Sequence, residues 1–229
     1  MTSTAVVGST GLVGSHILST LISLPTISSI HAIARRQPPS NDPKLHPLVS
    51  SDSEQWPSQL STISPPPNIF FSALGTTRGA AGSVENQRKI DYDLNLALAQ
   101  AAKSAGVKVY VLISSGGASA SSMMAYPKMK GELEDSVKKL DFERTVILRP
   151  GLIVGDREES RPVEAVARKL AGLVGRLGNM FKDPWAQDSD VIARAAVSAG
   201  LKALQEDAPK VWEVGQSEIV KLGRTEWKA

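Results

Sequence analysis

The fold is decided by residues 5–14, which read AVVGSTGLVG. A short apolar run enters glycines at positions 8, 11 and 14, and an amphipathic run follows, which predicts a strand, a tight turn and a helix. Gly8 would bend the backbone, Gly11 would let a pyrophosphate approach the main chain, and Gly14 would let the helix pack on the strand. The first N–H groups of the helix would face the phosphates. We therefore predict a nucleotide site, with a plain glycine-rich turn as the alternative.

Length and composition indicate one α/β domain. The chain has 229 residues, of which 41% are hydrophobic, enough for one well-buried core. We predict a single NAD(P)-binding domain over residues 1–229, in which residues 162–229 contribute a small C-terminal substrate lobe. The 26 basic and 23 acidic residues give a net charge of +3, too small to indicate a nucleic-acid partner. Because the chain has no cysteine and its three histidines are far apart, no disulfide or metal site is predicted.

The sequence also limits where the protein is expected in the cell. No apolar run approaches the length of a membrane span, and the chain enters its first strand almost at once. This arrangement fits neither a secretory signal nor a cleavable transit peptide. We expect synthesis in the cytosol and no secretion.

Apolar runs alternate with helical patterns along the chain. Strands are predicted at residues 30–34, 68–74, 108–113 and 144–148, with a weak strand at 48–49. The helix predicted over residues 84–105 has an apolar stripe and ends at Gly106. The stripe consists of Ile90, Leu94, Ala97, Leu98 and Ala101. This alternation predicts a Rossmann-type, doubly wound parallel sheet with a small C-terminal lobe.

Two strand ends carry further candidates for a cofactor site. Arg35 and Arg36 close the second strand, where an acidic residue selects NAD and an arginine accommodates the 2′-phosphate of NADP. No acid stands there, so we predict NADP, with a solvated basic loop as the alternative. Leu74, Gly75 and Thr76 follow a continuous apolar run, and a glycine at the end of a central strand is where a cofactor crosses the sheet.

Three features together resemble the short-chain dehydrogenase/reductase superfamily. They are the glycine turn, the strand-end pair Ser114 and Ser115, and Tyr126 with Lys130 four residues on, a spacing that puts both side chains on one helix face. A closer resemblance, to atypical reductases related to the human Tat-interacting protein, covers almost the whole chain. It is carried by the runs LGTTRG at 74–79, LISS at 112–115, KGE at 130–132, RPG at 149–151 and DREESRP at 156–162. The fungal members of that group are mitochondrial.

The resemblance implies an NADPH site and a catalytic set. Binding is implied for Ser9, Gly11, Arg35, Arg36, Leu74, Gly75, Tyr126, Lys130, Ile153 and Arg161. The predicted site also includes Gly8, Thr10, Leu12, Val13, Gly14, Thr76 and Pro150. The catalytic residues implied are Tyr126, Lys130 and Ser115, or Ser114 in place of Ser115. The sequence departs from the family pattern at Pro127, which places Tyr126 at a helix N-terminus, and at Met129 and the Gly116–Gly117 pair.

The function expected is reduction of an aldehyde, ketone or quinone. NADPH would give a hydride to the carbonyl carbon while Tyr126 protonates the oxygen, Ser115 holds the carbonyl, and Lys130 stabilises the phenolate and holds the ribose. The alternative to a catalytic pair is a surface tyrosine that has a lysine neighbour by chance. An NADP(H)-binding regulatory module with a protein partner is the second function considered. A third, a sugar-nucleotide epimerase or dehydratase, needs a larger lobe than the stretch after Arg161 offers.

Residues 162–183 combine an apolar stripe with basic side chains. A basic amphipathic element of this kind fits peripheral contact with an anionic membrane. The resemblance to the fungal proteins implies that this membrane is the mitochondrial outer membrane. A lobe helix that closes the substrate pocket is favoured over this. The oligomeric state is not predicted.

Overall fold

The computed structural model describes residues 1–155 and 185–228. Its strands and helices alternate as predicted. The strands are β1 Thr2–Val7, β2 Ile27–Ala34, β3 Leu45–Val49, β4 Ile69–Ser72, β5 Val109–Ile113, β6 Arg144–Leu148, β7 Leu152–Val154, β8 Ala186–Asp188 and β9 Val211–Val214. The helices are α1 Leu12–Ser23, α2 Trp56–Ser61, α3 Arg78–Ala81, α4 Val84–Arg88, α5 Asn95–Ala105, α6 Ala125–Lys139, α7 Ser189–Leu204 and α8 Gln216–Val220.

Seven strands form one parallel sheet in the order β3-β2-β1-β4-β5-β6-β9. The order reverses between β1 and β4, and in open α/β sheets ligands bind outside the carboxyl ends of the strands at such a reversal. The described residues also contain a parallel pair, β7 and β8. The predicted Rossmann-type fold is therefore confirmed, and the glycine turn lies at the reversal.

Helices cover both faces of the sheet, and each face has its own apolar core. On one face, α1 and α7 pack through residues such as Ile17, Leu21 and Ile192. On the other, α2, α5 and α6 pack around a stack of Phe70, Tyr110 and Phe142, with ring centroids 5.4 and 5.0 Å apart. Each large side chain buried in this way stabilises the fold by about 1.5–3 kcal/mol.

Two regions differ from the sequence predictions. The weak strand predicted at residues 48–49 begins at Leu45, because Pro47 is tolerated in a strand at the edge of the sheet. The helix predicted over 84–105 consists of α4, a π-helical turn at Lys89–Leu94 (the π turn) and α5.

The buried face of this helical region is also not the predicted apolar stripe. Only Leu98 of that stripe is fully buried, and the buried positions are Gln87, Asp91, Asn95, Leu98, Ala99 and Ala102. The stripe residues have the predicted helical spacing, and Leu94 and Ala101 pack partly buried against the core, but polar side chains occupy the first half of the buried face. What they contact is described below.

The described end of the chain joins the main fold. Within residues 185–228, α7 covers one face of the sheet and β9 adds the seventh strand beside β6. Part of the region predicted as a C-terminal lobe therefore supplies the last strand of the sheet and a helix that packs on one of its faces.

Candidate nucleotide-binding and catalytic site

The glycine turn has the geometry that the sequence predicts. Gly8 has φ +79°, in the left-handed region that favours glycine. The N–H of Gly11 donates to the Gly8 carbonyl at 2.9 Å. A Cβ on Gly14 would overlap that same carbonyl, so α1 lies too close to the turn for any larger residue. The turn therefore brings the start of α1 directly against the end of β1.

The groups exposed by this turn fit a phosphate. Thr10 and Gly11 are exposed, Leu12 and Val13 begin α1, and no side chain caps the helix N-terminus. The first turn of α1 contains no acidic residue, so its N–H groups and the positive end of the helix dipole are available. The hydroxyl of Ser9 is buried and makes no hydrogen bond to any described residue. An anion with several oxygens would satisfy these donors.

The end of β4 lies directly against the glycine turn. A Cβ on Gly8 would lie 2.6 Å from the Ala73 carbonyl oxygen and 2.9 Å from the Leu74 nitrogen. The chain then continues through Gly75 and Thr76, which are partly or fully exposed. The two segments predicted to meet the cofactor are thus neighbours at the sheet's carboxyl edge.

Three buried polar side chains hold the segment after β4 in place. Asn95 accepts from the Ser72 hydroxyl at 2.6 Å and donates to the Leu74 carbonyl at 3.3 Å. Asp91 accepts from the Thr76 N–H at 2.8 Å through Oδ1. Gln87 donates to the Thr76 carbonyl at 3.3 Å. We call these three residues the polar ladder; their spacing of four residues was the signal in the sequence, and the prediction missed it.

Arg35 and Arg36 stand where the sequence places them. Val7 of β1 pairs with Ile33 of β2, so the two arginines leave β2 beside the start of the glycine turn. Both are exposed, and neither forms an ion pair or hydrogen bond with the described residues. A guanidinium presents a fork of N–H donors that matches phosphate geometry. Both arginines are therefore free to bind a phosphate at this edge.

Tyr126 and Lys130 lie on the first turns of α6. The helix begins at Ala125, and its N-cap is Met124, so Pro127 occupies the first turn as predicted. Lys130 is only 3% exposed and donates from Nζ to the Ile113 carbonyl at 3.2 Å. Burial lowers its pKa, while the carboxylates of Asp91 and Glu134 oppose this. The side chain of Tyr126 is 42% exposed. The lysine is fixed at the end of β5, and the tyrosine ring is open to solvent on one side.

The surroundings of the Tyr126 hydroxyl raise its pKa. Partial burial of the hydroxyl is the main cause, and the negative charge of Asp91 adds to it. The Ser115 hydroxyl, which donates to the Gly116 carbonyl at 3.3 Å, acts in the opposite direction and lowers the pKa of Tyr126. In this environment the tyrosine keeps its proton, which suits a proton donor.

The two strand-end serines have different surroundings. Ser114 is buried and donates to Glu134, which also accepts from Arg149. Ser115 is partly exposed and is the serine near Tyr126. Ser114 is thus engaged by Glu134, whereas Ser115 is the more accessible of the two serines.

The loop after Ser115 is tied to its neighbours despite its two glycines. The Gly116 N–H donates to the Pro150 carbonyl at 2.6 Å, and the Ser119 N–H donates to the Pro127 carbonyl at 3.0 Å. Pro150 therefore supports the serine loop, so the Gly116–Gly117 pair does not leave Ser115 without anchors.

Of the remaining predicted residues, some lie within the described part of the chain and others lie outside it. Ile153 lies in β7, and Gly155, just beyond that strand, lies against Leu12, since a Cβ on it would be 2.8 Å from Leu12 Cδ1. Arg161 and the basic amphipathic element at 162–183 lie outside the described residues. Within residues 1–155 and 185–228, no helix is long and apolar enough to cross a membrane.

Solved structures that share this fold include proteins in complex with NAD. The chain superposes on WbmH from Bordetella bronchiseptica, in complex with NAD+, with a TM-score of 0.68 and 16% identity, covering 100% of this chain and 94% of that one. A short chain dehydrogenase family protein from Francisella tularensis gives a TM-score of 0.66 at 13% identity, covering 95% and 98%. At these identities the likeness shows a shared Rossmann-like fold.

Relatives found by sequence are much more similar to this chain than these solved structures are. The family model described as HIM1 matches residues 68–177. The mitochondrial protein fmp52 of Aspergillus clavatus is 55% identical over 231 residues, which cover 97% of this chain and 99% of the relative. The mitochondrial protein fmp-52 of Neurospora crassa is 52% identical over 237 residues, covering 99% and 97%. The chain therefore belongs to the fmp52 family of mitochondrial proteins.

Proposed function

We propose that this protein is an NADPH-dependent oxidoreductase that reduces an aldehyde, ketone or quinone. The observation that carries the proposal is the arrangement at the carboxyl edge of the sheet. Tyr126 and Lys130 lie on α6, Lys130 donates to the last residue of β5, and Ser115 follows that strand. The glycine turn lies two strands away at the topological reversal. Proteins that share the fold are described in complex with NAD, which supports a nicotinamide nucleotide as the cofactor.

Three features of the chain fit a nicotinamide dinucleotide, and a fourth, the arginine pair, supports NADPH as that nucleotide. The bare N-terminus of α1 and the unpaired Ser9 hydroxyl fit the pyrophosphate. Arg35 and Arg36 stand free at the end of β2, where the 2′-phosphate of NADP binds in this fold and no acid competes. Lys130 makes one hydrogen bond to a carbonyl and has further N–H groups for the nicotinamide ribose.

The proposed chemistry divides the roles among three side chains. NADPH, when bound, supplies the hydride. Tyr126 donates its proton to the carbonyl oxygen, and Ser115 donates a hydrogen bond to that oxygen and orients the carbonyl. The raised pKa of Tyr126 keeps the phenol protonated until the oxygen becomes basic. The positive charge of Lys130 then stabilises the phenolate that is left.

The proposal is tested by replacing Tyr126 with Phe. The variant keeps the ring and loses the proton donor, so we expect turnover of a carbonyl substrate to fall by about 100-fold or more. Binding of NADPH should stay within a few-fold of the parent, whereas Lys130→Ala should impair both. A panel of aldehydes, ketones and quinones, followed by NADPH absorbance, measures the turnover.

Tyr92 provides a matched control. Its hydroxyl bonds to Ser136 at 3.0 Å, away from the catalytic set, so Tyr92→Phe removes a phenol hydroxyl without touching the proton donor. That variant should retain parental turnover. Parental turnover by Tyr126→Phe would remove the tyrosine from the mechanism. Binding of NADPH with no consumption in any assay would instead favour the NADP(H)-binding regulatory module.

Three further proposals come from the sequence. They are attachment to the mitochondrial outer membrane, a protein partner, and the specific likeness to the Tat-interacting reductases. The names of the relatives support a mitochondrial location. The element that would contact the membrane lies at residues 162–183.

A further inference from the structure

Asp91 is a buried charge that the proposed chemistry leaves unused. It is 1% exposed, and one of its oxygens, Oδ1, holds the Thr76 N–H. The other oxygen, Oδ2, makes no hydrogen bond to any described residue. A buried carboxylate oxygen without a partner costs free energy, so a purely structural clamp would be served equally well by a neutral asparagine.

The π turn that carries Asp91 packs against the catalytic helix α6. Two contacts join this region to α6 on either side of Asp91. Arg88 pairs with Glu132 at 2.6 Å, and the Tyr92 hydroxyl bonds to Ser136 at 3.0 Å. Asp91 lies between these two contacts in the chain, and its Oδ1 would be 3.0 Å from a Cβ on Gly75. Its negative charge acts on both Lys130 and Tyr126. A π turn inside a helix is a frequent feature of functional sites.

The charged groups around this cluster can be named element by element. On α6 they are Tyr126, Lys130 and Glu134, and on the π turn the buried one is Asp91. Glu134 is already bound by Arg149 and Ser114. Burial raises the pKa of Asp91, and the Lys130 charge and the hydrogen bond from the Thr76 N–H lower it. Asp91 is therefore the carboxylate near Lys130 that lacks a cationic partner other than Lys130.

We propose that Asp91 is a positioning residue that holds the Tyr126–Lys130 pair in its doubly protonated state. A negative charge beside both groups opposes loss of a proton from either one. This state is the one from which a phenol can donate a proton, so Asp91 biases the site towards reduction. That last step rests on the proposed reductase function, whereas the effect on protonation does not.

The first experiment titrates Tyr126 in the free protein by NMR. With tyrosine labelled at the ζ carbon, the three tyrosines give three signals, and Tyr126→Phe identifies the relevant one. Asp91→Asn removes the charge and retains an oxygen to accept from the Thr76 N–H. We expect the first deprotonation of the Tyr126–Lys130 pair, which belongs to the pair as a unit, to move down by about 1 pH unit or more.

Two further variants separate charge from structure. Asp93→Asn removes an exposed carboxylate from the same π turn and should leave the titration unchanged within about 0.3 unit because of solvent screening. Asp91→Leu removes both the charge and the clamp, so it should shift the titration as Asp91→Asn does while lowering stability more. Equal titrations in the parent and Asp91→Asn would overturn the proposal.

The reciprocal measurement covers the case in which Asp91→Asn fails to fold. The carboxyl carbon of Asp91 is titrated in the parent and in Lys130→Met, and loss of the lysine charge should raise the pKa of Asp91. An unchanged pKa would overturn the proposal.

The kinetic readout separates this proposal from the reductase function. In a reducing enzyme, the alkaline limb of the kcat/KM profile should move to lower pH in Asp91→Asn by the same amount as the NMR titration. A shifted titration without turnover of any carbonyl would reject the reductase function and leave the role of Asp91 intact. Turnover with an unshifted titration would reject the role of Asp91 alone.

Discussion

The glycine turn and the segment after β4 lie side by side at the same edge of the sheet, and they are shaped in opposite ways. The turn at residues 8–14 is defined by missing side chains, because a Cβ at Gly8 or Gly14 would collide with the backbone. The segment at residues 72–76 is defined by side chains from elsewhere, the polar ladder of Gln87, Asp91 and Asn95. The glycine turn is shaped by close packing of its own backbone. The segment after β4 is held by hydrogen bonds from a helical region that follows it in the chain.

This difference has consequences for how each loop tolerates change. A turn that depends on close backbone packing is destabilised when a single Cβ atom is added to it. A segment held by a buried hydrogen-bond network is destabilised when one partner is removed, because the polar group left behind stays buried without a hydrogen bond. The comparison therefore predicts that addition is most damaging in the first loop and removal in the second.

The largest effect is expected from Gly8→Ala. The new Cβ would sit 2.6 Å from the Ala73 carbonyl oxygen, at a φ of +79° that disfavours alanine. The left-handed conformation costs about 1–2 kcal/mol and the overlap about 1–3 more, so we expect a loss of about 2–5 kcal/mol in the free energy of unfolding. Urea denaturation followed by circular dichroism measures the loss.

Gly117→Ala is a matched control for this substitution. Gly117 has the same φ of +79°, but a Cβ there would have no neighbour within 4 Å. We expect it to cost only the conformational part, about 1–2 kcal/mol. If both substitutions cost the same, close approach to β4 is not what requires glycine at position 8.

The next effect is expected from Asn95→Leu. This change leaves the Ser72 hydroxyl and the Leu74 carbonyl without their partner in a buried environment. Unsatisfied buried groups cost about 1–3 kcal/mol each, and because the Leu74 carbonyl is only partly buried we expect a total loss near the lower end, about 2–3 kcal/mol. Thermal and urea denaturation measure it.

Gln100→Leu, at an exposed position on the same helix, should change stability by less than about 0.5 kcal/mol. A loss no greater for Asn95→Leu than for Gln100→Leu would show that the polar ladder does not hold the segment after β4.

The sequence predicted the first loop well and the second poorly, for a physical reason. The glycine spacing is a short local pattern, and the left-handed Gly8 and the tight Gly14 follow directly from it. The polar ladder depends on which helix face the fold buries. The apolar stripe containing Ile90 and Leu94 indicates a helix but not the polar half of its buried face, which is needed because the backbone groups of residues 74–76 require polar partners.

The catalytic candidates show the same limit. The spacing of Tyr126 and Lys130 placed both on one helix face, and Pro127 lies in the first turn as predicted. The environments of the two adjacent serines could not be read from the sequence. The partner that occupies Ser114 is Glu134, twenty residues later, whose own position is fixed by Arg149.

The central claim is that this edge of the sheet binds NADPH through the glycine turn and the two arginines, and calorimetric titration with NADPH and NADH tests it most directly. Arg35→Ala and Arg36→Ala should leave folding intact, because both side chains are exposed. A charged hydrogen bond contributes about 1.5–3 kcal/mol, so each variant should bind NADPH about 10- to 100-fold more weakly, with NADH affinity nearly unchanged. The parent should bind NADPH more tightly than NADH. Equal losses for the two cofactors, or tighter binding of NADH by the parent, would contradict this account.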